Sequence, residues 1–134
     1  MPLRLPPAGP ARFASARIYQ RYDWGRLARF HVLDDRQYRA QQACTPAGRG
    51  GSTSVTARAC RLLHDPTRSM LGVAQEAWLG VGLVTSRARW NILAQQTPMA
   101  QSSGVPVRLP EDGRFWTDGW DGYPLARRRL FDTL

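Results

Sequence analysis

Three stretches of the chain gather side chains able to bind or orient a ligand. The first is Asp34, Asp35, Arg36, Gln37, Tyr38 and Arg39, where carboxylates, guanidiniums, an amide and a phenol follow one another without an aliphatic residue. They come directly after Phe30, Val32 and Leu33, a short apolar run that reads as a strand buried on both faces. Ligands of open α/β sheets bind beyond the carboxyl ends of strands, so the arrangement reads as scaffold followed by site. The competing reading is a strand running into a solvated loop. The second stretch repeats the pattern. Trp90, Ile92, Leu93 and Ala94 read as a buried strand, Gln95, Gln96 and Thr97 as its polar end, and Pro98 as its stop. The third is F-W-T-D-G-W-D-G-Y-P, residues 115–124, in which Trp120 and Tyr123 alternate with Asp118, Asp121, Gly119 and Gly122. Such a loop suits a carbohydrate or nucleotide platform, and equally a rigid packed segment whose glycines permit tight turns.

The elements that must position these groups are legible in outline. Residues 16–22 suit a short strand and Asp23-Trp24-Gly25 a tight turn, so that with residues 29–34 they form a β-hairpin. Asp65-Pro66-Thr67-Arg68 is a turn. After it, Leu71, Ala74, Trp78, Leu79 and Leu83 fall near helical spacing, with Gln75 and Glu76 outside the stripe and Trp78 in the core. Gly80 and Gly82 weaken this helix by about 1 kcal/mol each relative to alanine. Two strands with polar tips separated by a helix make a β-α-β unit, here with a long insertion before the helix. If the strands are parallel, both tips lie at one sheet edge, and Arg36, Tyr38, Gln95 and Gln96 converge. Tyr123-Pro124 opens a C-terminal helix, with Leu125, Leu130, Phe131 and Leu134 as its apolar side and Arg127, Arg128 and Arg129 as its solvated face.

The rest of the chain bounds the answer. Residues 1–12 form a proline-rich extended lead-in, and residues 40–64 read as a flexible loop rich in Gly, Ser and Thr. Gly48 to Ser54 lacks the lysine and the spacing of a phosphate-binding P-loop. At 134 residues and 43% hydrophobic composition the chain is long enough for one domain with a core. A net charge of +9 raises anionic ligands or nucleic acid as partners. The basic residues, however, are all arginine and are spread along the chain, which argues against a nucleic-acid arm. His31 and His64 lack ligand spacing, so no metal site is read from the pattern. Cys44 and Cys60 are compatible with a disulfide or with two thiols. No apolar run reaches the ~18 residues of a membrane span, and residues 1–12 hold no apolar signal-peptide core.

Taken together, four segments resemble the alkaline phosphatase D (PhoD-like) family of metallophosphatases: residues 24–39, 65–79, 86–101 and 116–130. Asp34, Arg36, Gln37, Tyr38 and Arg39 match its L-D-x-R-Q-Y-R, with Asp35 departing where many relatives have threonine. Gln95 and Gln96 match its A-Q-Q, and Asp118, Trp120, Asp121, Gly122 and Tyr123 its D-x-W-D-G-Y. The resemblance implies an α/β fold, part of a calcineurin-like metallophosphatase sandwich, with the hairpin, the β-α-β unit and the C-terminal helix as its visible pieces. It implies hydrolysis of phosphate mono- and diesters by an exported enzyme using calcium and iron, which would lower the pKa of a water nucleophile. On that footing Arg36 is the catalytic candidate, binding phosphate through paired N–H donors and stabilising developing charge. Tyr38, Gln95, Gln96, Asp118, Trp120, Asp121 and Tyr123 are the substrate-binding candidates. The family's main metal-binding motifs have no match here. The expectation is therefore a partial domain that holds no metal by itself, is inactive alone, and acts on a phosphoester only when completed by other segments. The alternative is an arginine-rich module binding anionic ligands or nucleic acid.

Overall fold

The computed structural model describes residues 16–49, 51–101 and 113–134; the proline-rich lead-in lies outside the described residues. A hairpin opens the fold, β1 (Gln20–Trp24) and β2 (Ala28–Val32), antiparallel with Gln20 opposite Val32 and Trp24 opposite Ala28. The turn lies at residues 25–27, just beyond the expected one, and Gly25 supplies its positive φ of 55°. Helix α1 (Val73–Val84) then leads to β4 (Trp90–Ala94), which pairs with β2 in parallel. The β-α-β unit is thus present, and the sheet order is β1-β2-β4.

Residues 40–64 carry more structure than a loop. Strand β3 (Ser54–Thr56) pairs antiparallel with β5 (Arg114–Trp116), and a single 3-10 turn covers Arg61–His64. A disulfide joins Cys44 to Cys60, and Ala43, Cys60 and Leu63 form a small buried cluster beside it. No local pattern predicts this strand, because the pairing partner of β3 is some sixty residues away along the chain. Helix α2 (Pro124–Phe131) begins with proline at its first turn, as expected, because the missing N–H there has no intrahelical partner to lose.

The main core lies between α1, α2 and the ends of β2 and β4: Leu33, Met70, Leu71, Leu79, Trp120, Tyr123, Ala126 and Leu130. Four expectations change. Gln75 is buried inside the helix stripe, not outside it. It stands four residues from both Leu71 and Leu79, so it shares their face. Trp78 is only half-buried, with Tyr19 edge-on at 4.9 Å and the Arg21 guanidinium 4.6 Å above its ring. Trp90 and Ile92 are 60% and 39% exposed, because β4 is an edge strand with one face uncovered. Of the α2 arginines Arg128 is solvated, Arg129 is 40% exposed and Arg127 is mostly covered. Arg127 pairs with Asp121 at 3.0 Å, and Arg129 with Glu76 at 3.1 Å.

Candidate functional site

The site is built where β2 and β4 end. Parallel pairing sets Val32 opposite Ala94, so the residues beyond each strand emerge side by side. Leu33 N–H extends the ladder one step by donating to the Ala94 carbonyl at 2.8 Å. Two glutamines then replace the ladder. Gln96 Nε2 donates to the Leu33 carbonyl at 3.0 Å, and its Oε1 accepts from Asp35 N–H at 3.2 Å. From α1, Gln75 Oε1 accepts from Asp34 N–H and its Nε2 donates to the Asp34 carbonyl, both at 2.8 Å. Buried backbone groups require partners, and side-chain amides carry both a donor and an acceptor.

Asp34 next turns the chain. Its Oδ1 accepts from the N–H groups of Arg36 and Gln37, both at 3.0 Å, as short carboxylates do at turns. Asp34 and Asp35 are fully buried. Asp35 Oδ2 accepts from Thr97 Oγ1, while Asp34 Oδ2 and Asp35 Oδ1 have no hydrogen-bond partner.

Arg36 emerges from this corner with 45% of its side chain exposed, and its Nη1 donates to Asp118 Oδ2 at 2.9 Å. Asp118 also receives Gln42 Nε2 on Oδ1 at 2.7 Å. Arg39 Nη1 lies 2.9 Å from the same Oδ1 and donates to the Asp118 carbonyl at 2.8 Å. Burial alone would raise the Asp118 pKa, but the bonds from Arg36 and Gln42 and the charge of Arg39 hold it below the usual carboxylate range. The same hydrogen bond raises the pKa of Arg36.

The expected residues thus meet in pairs more than in one cluster. Arg36 and Asp118 meet directly, across 82 residues of chain. Gln95 Oε1 accepts from the buried Trp120 indole N–H at 2.5 Å, tying the end of β4 to the aromatic loop. Gln96 serves the backbone. Asp121 pairs with Arg127 beneath the loop. The Tyr123 hydroxyl donates to the Ala40 carbonyl, and burial raises its pKa. Tyr38 lies apart from these, edge-on to Tyr19 at 5.8 Å. Its backbone and Cβ crowd Gly72, where an added Cβ would come within 2.9 Å and φ is +73°. Gly122 is tighter still: a Cβ there would stand 2.6 Å from the Thr117 carbonyl oxygen. Sequence reasoning missed Gln75 and Gln42 as supports of the corner, and it placed Thr97 at the polar end of β4 without giving it a role. The spacing from Leu71 to Leu79 was the available signal for Gln75; for Gln42 there was none.

Among the described residues no three His, Cys, Asp or Glu side chains form a group able to hold a metal ion. Asp34 and Asp35 offer one bare buried oxygen each, far short of the six to eight oxygens that Ca²⁺ takes. The described residues do not make a metal site. The corner also sets two arginines against three carboxylates, so an anionic substrate needs positive charge from elsewhere to be held there.

No helix among the described residues is long and apolar enough to cross a membrane. The family model for PhoD-like phosphatase matches residues 1–134. Alkaline phosphatase D of Bacillus subtilis (strain 168) is 36% identical over 140 residues, covering 100% of this chain and 21% of that protein. A solved structure described as "Structure of PhoD" superposes with a TM-score of 0.74 at 36% identity, over 99% of this chain and 23% of the other. The chain therefore spans about a fifth of the length of the relatives it matches.

Proposed function

Because the chain belongs to the PhoD-like phosphatase family, we propose that its 134 residues supply the arginine-bearing edge of a metal-dependent phosphoester hydrolase. The metals, calcium and iron in this reading, are held by residues outside the described set, and the complete domain is the calcineurin-like sandwich. The observation that carries the proposal is Arg36, half-exposed at the carboxyl end of a strand and aligned by Asp118. A guanidinium has five N–H donors. The bond to Asp118 fixes its plane and leaves donors for a bidentate contact to phosphate. That contact strengthens as charge builds on the phosphoryl oxygens.

The other candidates take supporting parts. Asp118 positions Arg36. Gln95 with Trp120, Gln96, Asp121 and Tyr123 hold the walls of the corner, and Tyr38 its far rim. Alone, the chain hydrolyses nothing.

The test is a chimera of Bacillus subtilis alkaline phosphatase D carrying this chain in place of its matching segment. With Ca²⁺ and iron it hydrolyses bis-p-nitrophenyl phosphate, and Arg36→Ala lowers kcat/KM by about 10²–10³-fold, as for other lost transition-state donors. A folded chimera without turnover refutes the phosphatase reading. Unchanged kcat/KM in the Arg36→Ala chimera refutes the role of Arg36. Metal-dependent turnover by the chain alone refutes its inactivity.

A further inference from the structure

The segment that runs from Gln42 to Cys60 grips Asp118 and its neighbour from two sides. On one side, Gln42 Nε2 donates to Asp118 Oδ1 at 2.7 Å. On the other, Thr53 holds the residue before Asp118. Thr53 N–H donates to Thr117 Oγ1 at 2.9 Å, and the Thr53 carbonyl accepts from Thr117 N–H at 2.9 Å and from Thr117 Oγ1 at 3.0 Å. The pairing of β3 with β5 leads directly into this grip, with Ser54 opposite Trp116. Between Gln42 and Thr53 lies T-P-A-G-R-G-G-S, residues 45–52, a Pro- and Gly-rich stretch that holds no fixed distance by itself.

The disulfide joins the two contacts. Cys44 stands two residues after Gln42, and Cys60 four residues after the end of β3. The cross-link belongs to the buried cluster of Ala43, Cys60 and Leu63, against which Val55 of β3 and Phe115 of β5 pack. Cys44 is also the one non-glycine among the described residues with a positive φ, 52°. Most side chains hold that conformation only where the surroundings impose it.

We propose that the Cys44–Cys60 disulfide positions Arg36, acting through Gln42 and Asp118, so that reduction of this bond by a dithiol disables the corner. The inference rests on the phosphoester-hydrolase reading for its effect on turnover, and on geometry alone for its effect on Asp118. In the reduction, a thiolate of the dithiol attacks one cysteine sulfur and breaks the S–S bond, and the second thiol closes on the first. Two electrons and two protons pass to Cys44 and Cys60, which become thiols, while the dithiol becomes a disulfide. The opened loop regains conformational freedom, Cys44 leaves its positive φ, and Gln42 withdraws from Asp118. Asp118 loses one of the donors that fix it, and Arg36 loses its fixed plane.

The first test follows the side-chain carboxyl ¹³C signal of Asp118 in the full chain, oxidised and after dithiothreitol. Cys44 and Cys60 are the chain's two cysteines, so no other thiol responds. Burial works to raise the Asp118 pKa, and the bonds from Arg36 and Gln42 with the charge of Arg39 outweigh it. Reduction therefore moves the titration upward, toward the ordinary value of about 3.9, and Gln42→Leu does the same with the disulfide intact. A titration unmoved by reduction, or by Gln42→Leu, overturns the proposal. So does a reduced chain that unfolds by far-UV circular dichroism, because the bond then serves the whole fold and not the corner. The second test uses the chimera with Bacillus subtilis alkaline phosphatase D. There Cys44→Ser with Cys60→Ser lowers kcat/KM for bis-p-nitrophenyl phosphate by about 10–10²-fold, as small misplacements of a catalytic group do. In the Asp118→Asn chimera the same pair of substitutions has no further effect. An equal loss in both backgrounds overturns the route through Asp118. A chimera without turnover counts against the phosphatase reading alone, and the titration still decides the role of the disulfide.

Discussion

The carboxyl ends of β2 and β4 and the open face of the same strands are built on opposite terms. At the strand ends, polar groups are buried and closely paired: Asp34 between Gln75 and its own turn, Asp35 on Thr97, Trp120 on Gln95. On the open face, aromatic rings meet solvent. One region pairs most of its polar groups among the described residues, with Asp34 Oδ2 and Asp35 Oδ1 as exceptions; the other leaves large side chains exposed. The difference teaches that the corner is held by polar pairing, whereas the sheet face is held by the strands' own ladder and leaves Trp24 and Trp90 in solvent. A corner held by many short-range hydrogen bonds keeps its geometry without help, whereas an apolar face gains free energy only when something covers it.

The contrast can be broken first by truncating equivalent side chains. Trp120→Ala, at 1% exposure, costs about 3–5 kcal/mol of unfolding free energy, the usual range for a large core aromatic. Trp24→Ala, at 71% exposure, changes it by no more than about 0.5 kcal/mol. Urea denaturation of the two variants decides, and equal losses would erase the distinction between the regions. Gln75→Ala comes next, costing about 1–3 kcal/mol because it strands a buried N–H and a buried carbonyl of Asp34. Gly122→Ala falls in a similar range, about 1–3 kcal/mol, since its methyl has only backbone to push against.

The smallest effects are those of pH. Burial, together with the charges of Arg21 and Arg29, lowers the pKa of His31 despite its bond to Asn91. The folded chain therefore favours neutral imidazole. Its contribution is complete above the ordinary value of about 6.5 and is lost as pH falls through the lowered folded value. Asp118, also lowered, contributes fully above about 3.9 and loses that contribution as pH falls through its own folded value. Urea midpoints measured from pH 7.5 downward decline in two steps; His31→Gln removes the upper and Asp118→Asn the lower. A wild-type midpoint flat between pH 7.5 and 5 would show that His31 is not held neutral.

Much of the frame was readable from local pattern. The hairpin, the β-α-β order, the helix opened by Pro124 and the polar tips at Asp34 and Gln95 follow from β-forming runs, turn residues and a proline whose N–H is missing. These depend on neighbours within a few residues, and so does the signal that announces them. The L-D-x-R-Q-Y-R and D-x-W-D-G-Y matches likewise pointed to Arg36 and Asp118, though not to the bond between them.

Other features were decided by contacts that no window along the chain contains. Gln75 is inside because the Asp34 backbone needs its amide, Arg127 is drawn in beside Asp121, and Arg129 is turned toward Glu76 while staying partly exposed. Residues 40–64 acquire a strand because β5 comes to pair with it, while Cys44 and Cys60, both inside the segment, take the disulfide of the two options the sequence left open. Trp90 and Ile92 look like core residues in sequence because they stand with Leu93 and Ala94 in one apolar run, which records that the strand's faces are apolar. The run cannot record which layer covers which face, and in this structure α1 covers the face opposite Trp90 and Ile92. Sequence determined what each segment is; the tertiary structure decided what each side chain touches, because a hydrogen bond or a buried contact needs two partners and the chain places most of them far apart.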